Sequence, residues 1–292
     1  MRERVHGEAA GGHVALVGVW DPVSKDLAEF FRATVAAARR RGLGVLVVTL
    51  APDPVATLRG PLSRPAFQDV EYRLWYQQQC GVQSRIVVHL TRREVEEGGA
   101  ALLLDGIRRH VTVAGLLLKP GQSLGRGAPG GIAAIRDYCA RAGIHVGFAD
   151  PYRATADIEE ARTHLANGRL ARTVELLFQR LHWARPSSRS RVLPWPPGTY
   201  TAQPMEAPPS PAACANTDRA WEGDGDKGAL VQVHLAPCPG GSRLRWPEGA
   251  PPWLAFVSGP GDSSRAPVDL GRGTDRRTNH WMRGGRSAHH HL

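Results

Sequence analysis

Lysine is scarce in this chain. Only Lys25, Lys119 and Lys227 carry an ammonium among its 37 basic residues, and the rest are arginines. With 27 acidic residues the formal net charge is +10. Such an excess suits an anionic partner. No basic helical stretch carries interleaved aromatics, however, so a nucleic-acid partner is not expected. Long apolar runs are missing as well. None reaches about 18 residues, which argues against a membrane-spanning helix and a membrane partner. The opening segment Met1–Gly7 has no apolar signal core and reads as cytoplasmic. Cysteine is sparse: Cys80, Cys139, Cys214 and Cys238 lack the close spacing of metal ligands, so free thiols and no metal site are expected.

What remains is the composition of a globular protein. Hydrophobic residues make up 42% and charged residues 22% of 292, enough for one or two domains with a sizeable core. His13–Trp20 is a short apolar run of buried-strand type. Leu27, Phe30, Phe31, Thr34, Val35 and Ala38 follow at helical spacing, and Arg39–Gly42 closes the helix. Residues 43–50 form a second buried strand, which completes a β-α-β unit with a right-handed crossover. The alternation continues with helices at 70–80, 93–109, 130–142, 157–167 and 171–183, and strands at 84–90, 111–118 and 144–149. Strands alternating with helices imply an α/β fold, a doubly wound parallel sheet.

Composition shifts near Ala184. Residues 1–12 read as an N-terminal tail, 13–183 as the α/β domain and 184–197 as a Pro/Arg/Ser linker. Residues 198–258 read as a small β module, and 259–292 as a disordered Gly/Arg/Ser-rich tail ending in His289–His291.

In an open parallel sheet, ligands bind beyond the carboxyl ends of the strands. Two such ends are recognisable, Gly18–Leu27 and Thr49–Pro54. The second, Val47-Val-Thr49-Leu-Ala-Pro52-Asp-Pro54, resembles the V-V-T-F-D-P-H-P segment of prokaryotic FAD synthases, the bifunctional riboflavin kinase/FMN adenylyltransferases. Gly18 and Asp21 resemble the start of that family's G-N-F-D-G-V-H-x-G-H loop. Phe67–Arg73 with Cys80-Gly81-Val82 is similar to its short helix and G-V-D turn. Thr112–Gly121 is similar to the strand and loop that carry G-x-D-F-x-F-G, and Arg162, Leu165, Gly168 and Leu176-Leu177 resemble its S-S-T-x-I-R…G…L-L-G-R helix pair. The pieces at Val192-Leu-Pro194…Tyr200 and Gln232–Leu235 are similar to strands of the riboflavin kinase barrel.

The resemblance implies a nucleotidyltransferase (Rossmann-like) sheet with a degenerate riboflavin kinase-like module behind it. It implies a small-molecule nucleotide or flavin as partner, with ATP, magnesium and FMN or FAD as cofactors or substrates. Gly18, Asp21, Ser24, Thr49, Pro52, Gly115 and Arg162 would line the nucleotide site, with Arg162 and Lys25 as the remaining catalytic candidates. The departures fall on the chemistry. The two loop histidines have become Ser24 and Leu27, the loop glycine has become Asp26, and the Ser-Ser-Thr has become Asp157-Ile158-Glu159. Loss of one preorganised donor to a reacting oxyanion costs about two to three orders of magnitude in rate. Carboxylates near a triphosphate add like-charge repulsion.

Three readings stay open on the sequence: a weakened FMN adenylyltransferase, a non-catalytic flavin- or nucleotide-binding or regulatory relative with a protein partner, and a transferase with a changed substrate. If the cleft is otherwise intact, Ser24→His with Asp26→Gly and Leu27→His is expected to raise activity. Each residue also has a plain structural role: Gly18 and Asp21-Pro22 as a turn, Ser24 as an N-cap, Pro52 and Pro54 as strand stops, and Arg162 as a solvated helix residue.

Overall fold

The structure, a computed structural model, describes residues 2–4, 11–152, 155–177, 179, 181–184, 190–207, 230–239 and 241–262. Its first sheet contains β1 (Arg2–Arg4), β2 (His13–Gly18), β3 (Gly44–Leu50), β4 (Ser84–Val88), β5 (Val113–Leu118) and β6 (His145–Phe148), in the order β1-β4-β3-β2-β5-β6. Strands β2 to β6 are parallel, and β1 adds to β4 antiparallel. The period of two along a strand sorts the core into two layers. Ala15 and Val17 of β2 pack on α5 (Ala100–Arg108) and α6 (Ile132–Arg141), while Leu16 packs on α1 (Lys25–Arg39) and α3 (Val70–Gln79).

Helix α1 forms where the spacing predicts it. Ser24 caps it by accepting from Leu27 N at 3.1 Å, Arg39 closes its last turn, and Leu27, Ala28, Phe31, Val35 and Ala38 face the sheet. Three elements of this half differ from the sequence reading. The expected N-terminal tail contributes β1, which pairs with β4. Pro54 does not only stop β3: it opens α2 (Pro54–Arg59), which Asp53 caps. The helix expected over 93–109 is two, α4 (Arg92–Glu97) and α5, broken at Gly98-Gly99. A Cβ on Gly98 would lie 2.1 Å from the Glu94 carbonyl oxygen, so the chain leaves α4 by an approach that only glycine allows.

The expected doubly wound sheet with a degenerate module is corrected by the second half of the chain. After α7 (Thr155–Ala166) and α8 (Leu170–Leu177), the stretch read as the end of a helix is β7 (Leu181–Ala184), and part of the expected linker is β8 (Ser190–Leu193). They join β9 (Gly198–Met205), β10 (Val231–Cys238), β11 (Gly241–Arg245) and β12 (Trp253–Ser258) in a second sheet as wide as the first. All its pairings are antiparallel, in the order β7-β12-β9-β10-β11-β8. Helices α7 and α8 cover it, and Trp195 sits fully buried at its centre. Phe256, Trp183 and Tyr200 pack around Trp195 with ring centroids at 4.9, 5.3 and 5.6 Å. The expected disordered tail lies outside the described residues beyond Asp262.

Candidate functional site

The segment 65–69, between the two sheets, organises everything at the carboxyl end of β2. Asp21, in the loop that leaves β2, turns its carboxylate toward this segment and accepts from Phe67 N at 3.0 Å and Gln68 N at 3.1 Å. Arg162 of α7 closes on the same carboxylate at 3.4 Å. The Arg162 guanidinium also donates to the Pro65 carbonyl at 2.5 Å and the Asp21 carbonyl at 3.2 Å, and lies 4.3 Å above the Phe67 ring. The Asp21 side chain is 1% exposed and that of Arg162 7%. Arg162 is therefore neither a solvated residue nor an open phosphate contact. Its charge is neutralised inside the protein.

The rest of the loop is fastened the same way. The Val19 carbonyl accepts from Arg73, the Pro22 carbonyl from Tyr152, the Val23 carbonyl from Gln179 and the Ser24 carbonyl from Tyr76. Val23 N donates to Gln68. Trp20 folds back under the loop and donates its indole N–H to the Val48 carbonyl at 3.0 Å. It packs against Phe31 at 5.4 Å and fills the space beside Gly18, where a Cβ would stand 3.0 Å from the indole ring. Lys119 lies 4.7 Å from the Tyr152 ring, and burial together with the Asp21 charge pushes the Tyr152 phenol up, so it stays a neutral donor.

The remaining candidates separate. Thr49 has no exposure and accepts from Gln77 Nε2 at 3.0 Å. Ser24 is the α1 cap, and Leu27 is fully buried against the sheet. Lys25 is exposed on the first turn of α1, and Pro52 is exposed after β3. Gly115 lies inside β5 between Val14 and His145, away from the strand ends. A cavity of about 360 Å³ lies elsewhere, between α5 and α6, against Gly99, Ala100, Ala134 and Tyr138. Of the positions that the resemblance places in the nucleotide site, Gly115 and Thr49 are thus buried within the sheet.

A triphosphate with magnesium does not fit these residues. Phosphate oxygens need unengaged donors. Here Arg162 meets Asp21, and Arg64 meets Asp53 at 2.9 Å and Glu159 at 2.8 Å. Glu159 stands at one of the positions where the resemblance expects a hydroxyl donor. Among the described residues no group of three His, Cys, Asp or Glu could hold a metal. Cys80, Cys139 and Cys238 are free thiols, and burial pushes Cys80 up to about 11, which keeps it protonated. Cys214 lies outside the described residues.

Sequence reasoning missed Asp69. It caps α3 through Tyr72 N and accepts from Ala184 N of β7 at 2.6 Å and from Arg191 of β8 at 2.6 Å. One carboxyl group thus ties the start of α3, which packs on the first sheet, to two strands of the second. A lone Asp before the helical pattern signals the cap; nothing in the sequence signals the strand partners. Burial pushes it up to about 7, against Arg191 and the two N–H donors. The folded state therefore keeps this proton where the unfolded chain has lost it, and the group's contribution falls as pH rises from about 4 to about 7. The melting temperature is expected to be higher at pH 5 than at pH 8, and Asp69→Asn to shrink that difference. An unchanged difference in Asp69→Asn would contradict the assignment.

No family model matches the chain, and no curated protein does. Among solved structures it is similar to a macrolide-efflux protein from Streptococcus pneumoniae, with a TM-score of 0.50, 11% identity and 87% of each chain covered. At that identity the likeness concerns the fold alone. The expected doubly wound sheet of nucleotidyltransferase type is corrected accordingly: the fold found is a mostly parallel sheet joined to an equally wide antiparallel one, and it is similar to that of the efflux-named structure.

Proposed function

We propose that this chain is a non-catalytic module that carries FAD synthase-like motifs without FMN adenylyl transfer. One observation carries the reading. Arg162, the cation best placed by sequence to meet a phosphate, is buried against Asp21 and the 65–69 segment. Release of Arg162 to a nucleotide would leave the Asp21 carboxylate buried without its counter-charge, a cost of several kcal/mol. The remaining motif positions serve as a helix cap, a core leucine and a strand glycine.

Incubation of the purified chain with FMN, ATP and magnesium is expected to give no FAD by chromatography. FAD formation by the unaltered chain would overturn the proposal. The variant Ser24→His/Asp26→Gly/Leu27→His is expected to stay silent and to melt lower, because position 27 points into the core and an imidazole there is buried without a designed partner. The gain expected from sequence assumed that position 27 faces a cleft. No described helix is long and apolar enough to cross a membrane, and α1, at 15 residues, falls short of the roughly 20 that a bilayer requires.

A further inference from the structure

The arginines around the first sheet fall into two populations. Near the carboxyl ends of the strands and the seam four are engaged internally, Arg64 by Asp53 and Glu159, Arg73 by the Val19 carbonyl, Arg162 by Asp21 and Arg191 by Asp69 and Glu71, while Arg59 and Arg126 are exposed but stand singly. At the amino ends the pattern reverses. Helices α1, α5 and α6 each run back along the sheet and end a few residues before β3, β5 and β6. Their ends carry Arg39-Arg40-Arg41, Arg108-Arg109 and Arg141, all exposed. Arg108 donates to the Tyr138 hydroxyl. Arg39, Arg40, Arg41, Arg109 and Arg141 have no ion-pair partner among the described residues. The nearest carboxylates on these helices are Asp105, which accepts from Tyr138, and the exposed Asp137.

Strands β3, β2, β5 and β6 are consecutive neighbours, so the turns before them form one edge. At about 4.8 Å per strand it spans roughly 14 Å. A helix C-terminus favours one cation in its last turn; a run of three with no carboxylate goes beyond that. The charges come from three segments far apart in sequence, which explains why no single basic helix announces them.

We propose that this amino-end edge binds the phosphate backbone of nucleic acid. The cations are all guanidinium groups, whose forked donors suit phosphate oxygens. A membrane surface is disfavoured because interfacial binding couples charge to inserted apolar side chains. The exposed large hydrophobics of the first sheet unit, Val55, Leu62, Leu102 and Phe148, belong to segments at the opposite, carboxyl end. The proposal uses the face remote from Asp21 and Arg162 and is independent of the non-catalytic reading.

The test is fluorescence anisotropy of the full chain with a labelled 20-base-pair duplex and a single strand of the same length, across a salt series. Binding without sequence preference is expected, with a log Kd against log salt slope of about 3 to 5, as for a handful of phosphate contacts. Arg41→Glu/Arg109→Glu is expected to weaken it about tenfold or more at about 50 mM salt, since the backbone term dominates such binding. Arg59→Glu/Arg126→Glu, an equal charge change on exposed residues at the other end of the sheet, is expected to stay within about twofold because screening confines the effect to nearby charges. Melting curves of both variants establish folding. No binding at low salt, equal loss in the two variants, retained affinity in Arg41→Glu/Arg109→Glu, or tighter binding to phosphatidylserine vesicles than to the duplex would each overturn the proposal.

Discussion

Arg162→Ala is expected to lower stability by about 3–5 kcal/mol, the usual cost of removing one partner from a buried ion pair. The cost comes less from the lost attraction than from what stays behind. Asp21 would keep its two N–H donors from Phe67 and Gln68 but lose its counter-charge in a site with almost no water. The Pro65 carbonyl and the Phe67 ring face would also lose their cation. Asp21→Asn should cost a similar amount, since Arg162 would then be the unpaired buried charge. The double variant Asp21→Asn/Arg162→Ala should be less damaged than the sum of the singles, because both charges go together. Urea unfolding of the four proteins measures the coupling. A solvated or phosphate-binding arginine predicts an Arg162→Ala loss below about 1 kcal/mol and no coupling.

Trp195→Ala is expected to cost about 3–5 kcal/mol as well, the range for truncating a buried aromatic. Trp195 is fully buried, with Trp183 and Phe256 edge to face and Tyr200 tilted against it, and its indole N–H donates to the Ala66 carbonyl at 2.8 Å. Its removal opens a cavity in the second sheet and unties that sheet from the 65–69 segment. Amide exchange should therefore rise first in β9 and β12, with β2 and β3 protected longest. Trp195→Phe retains most of the packing and should recover much of the loss. Equal exchange increases in both sheets would show that the two cores unfold as one and that Trp195 is not specific to the second.

The first half of the fold is legible because its signals are local. Residues 13–18 and 44–50 are apolar on both faces, as strands covered by helices must be. Ser24 and the spacing of Leu27, Phe31, Val35 and Ala38 mark the intervening helix. The second sheet is less legible for a physical reason. Leu181–Ala184 is a four-residue apolar run that suits the end of a helix as well as a strand. Ser190–Leu193 sits in a Pro/Arg/Ser context whose polarity is read locally, although its pairing with β11 is set by residues some fifty positions away. The site is illegible at the same scale. Position 27 lies three residues after the cap, which turns Leu27 inward on the first turn of α1. Gly115, which the resemblance places in the nucleotide site, is flanked by β2 and β6 within the sheet. The fate of Arg162 depends on Asp21, 141 positions earlier, and no spacing rule reports that pairing.

The central claim is that the end of β2 is closed by its own side chains, so that no nucleotide displaces Arg162 from Asp21. Thermal melting of the full chain with and without excess magnesium-ATP tests it most directly. A ligand present at a hundredfold over its Kd would add about 2.7 kcal/mol of stability. The account predicts superimposable melts at millimolar ATP. A saturable rise in melting temperature that Asp157→Arg enlarges, by removing a carboxylate from the expected phosphate path, would contradict it.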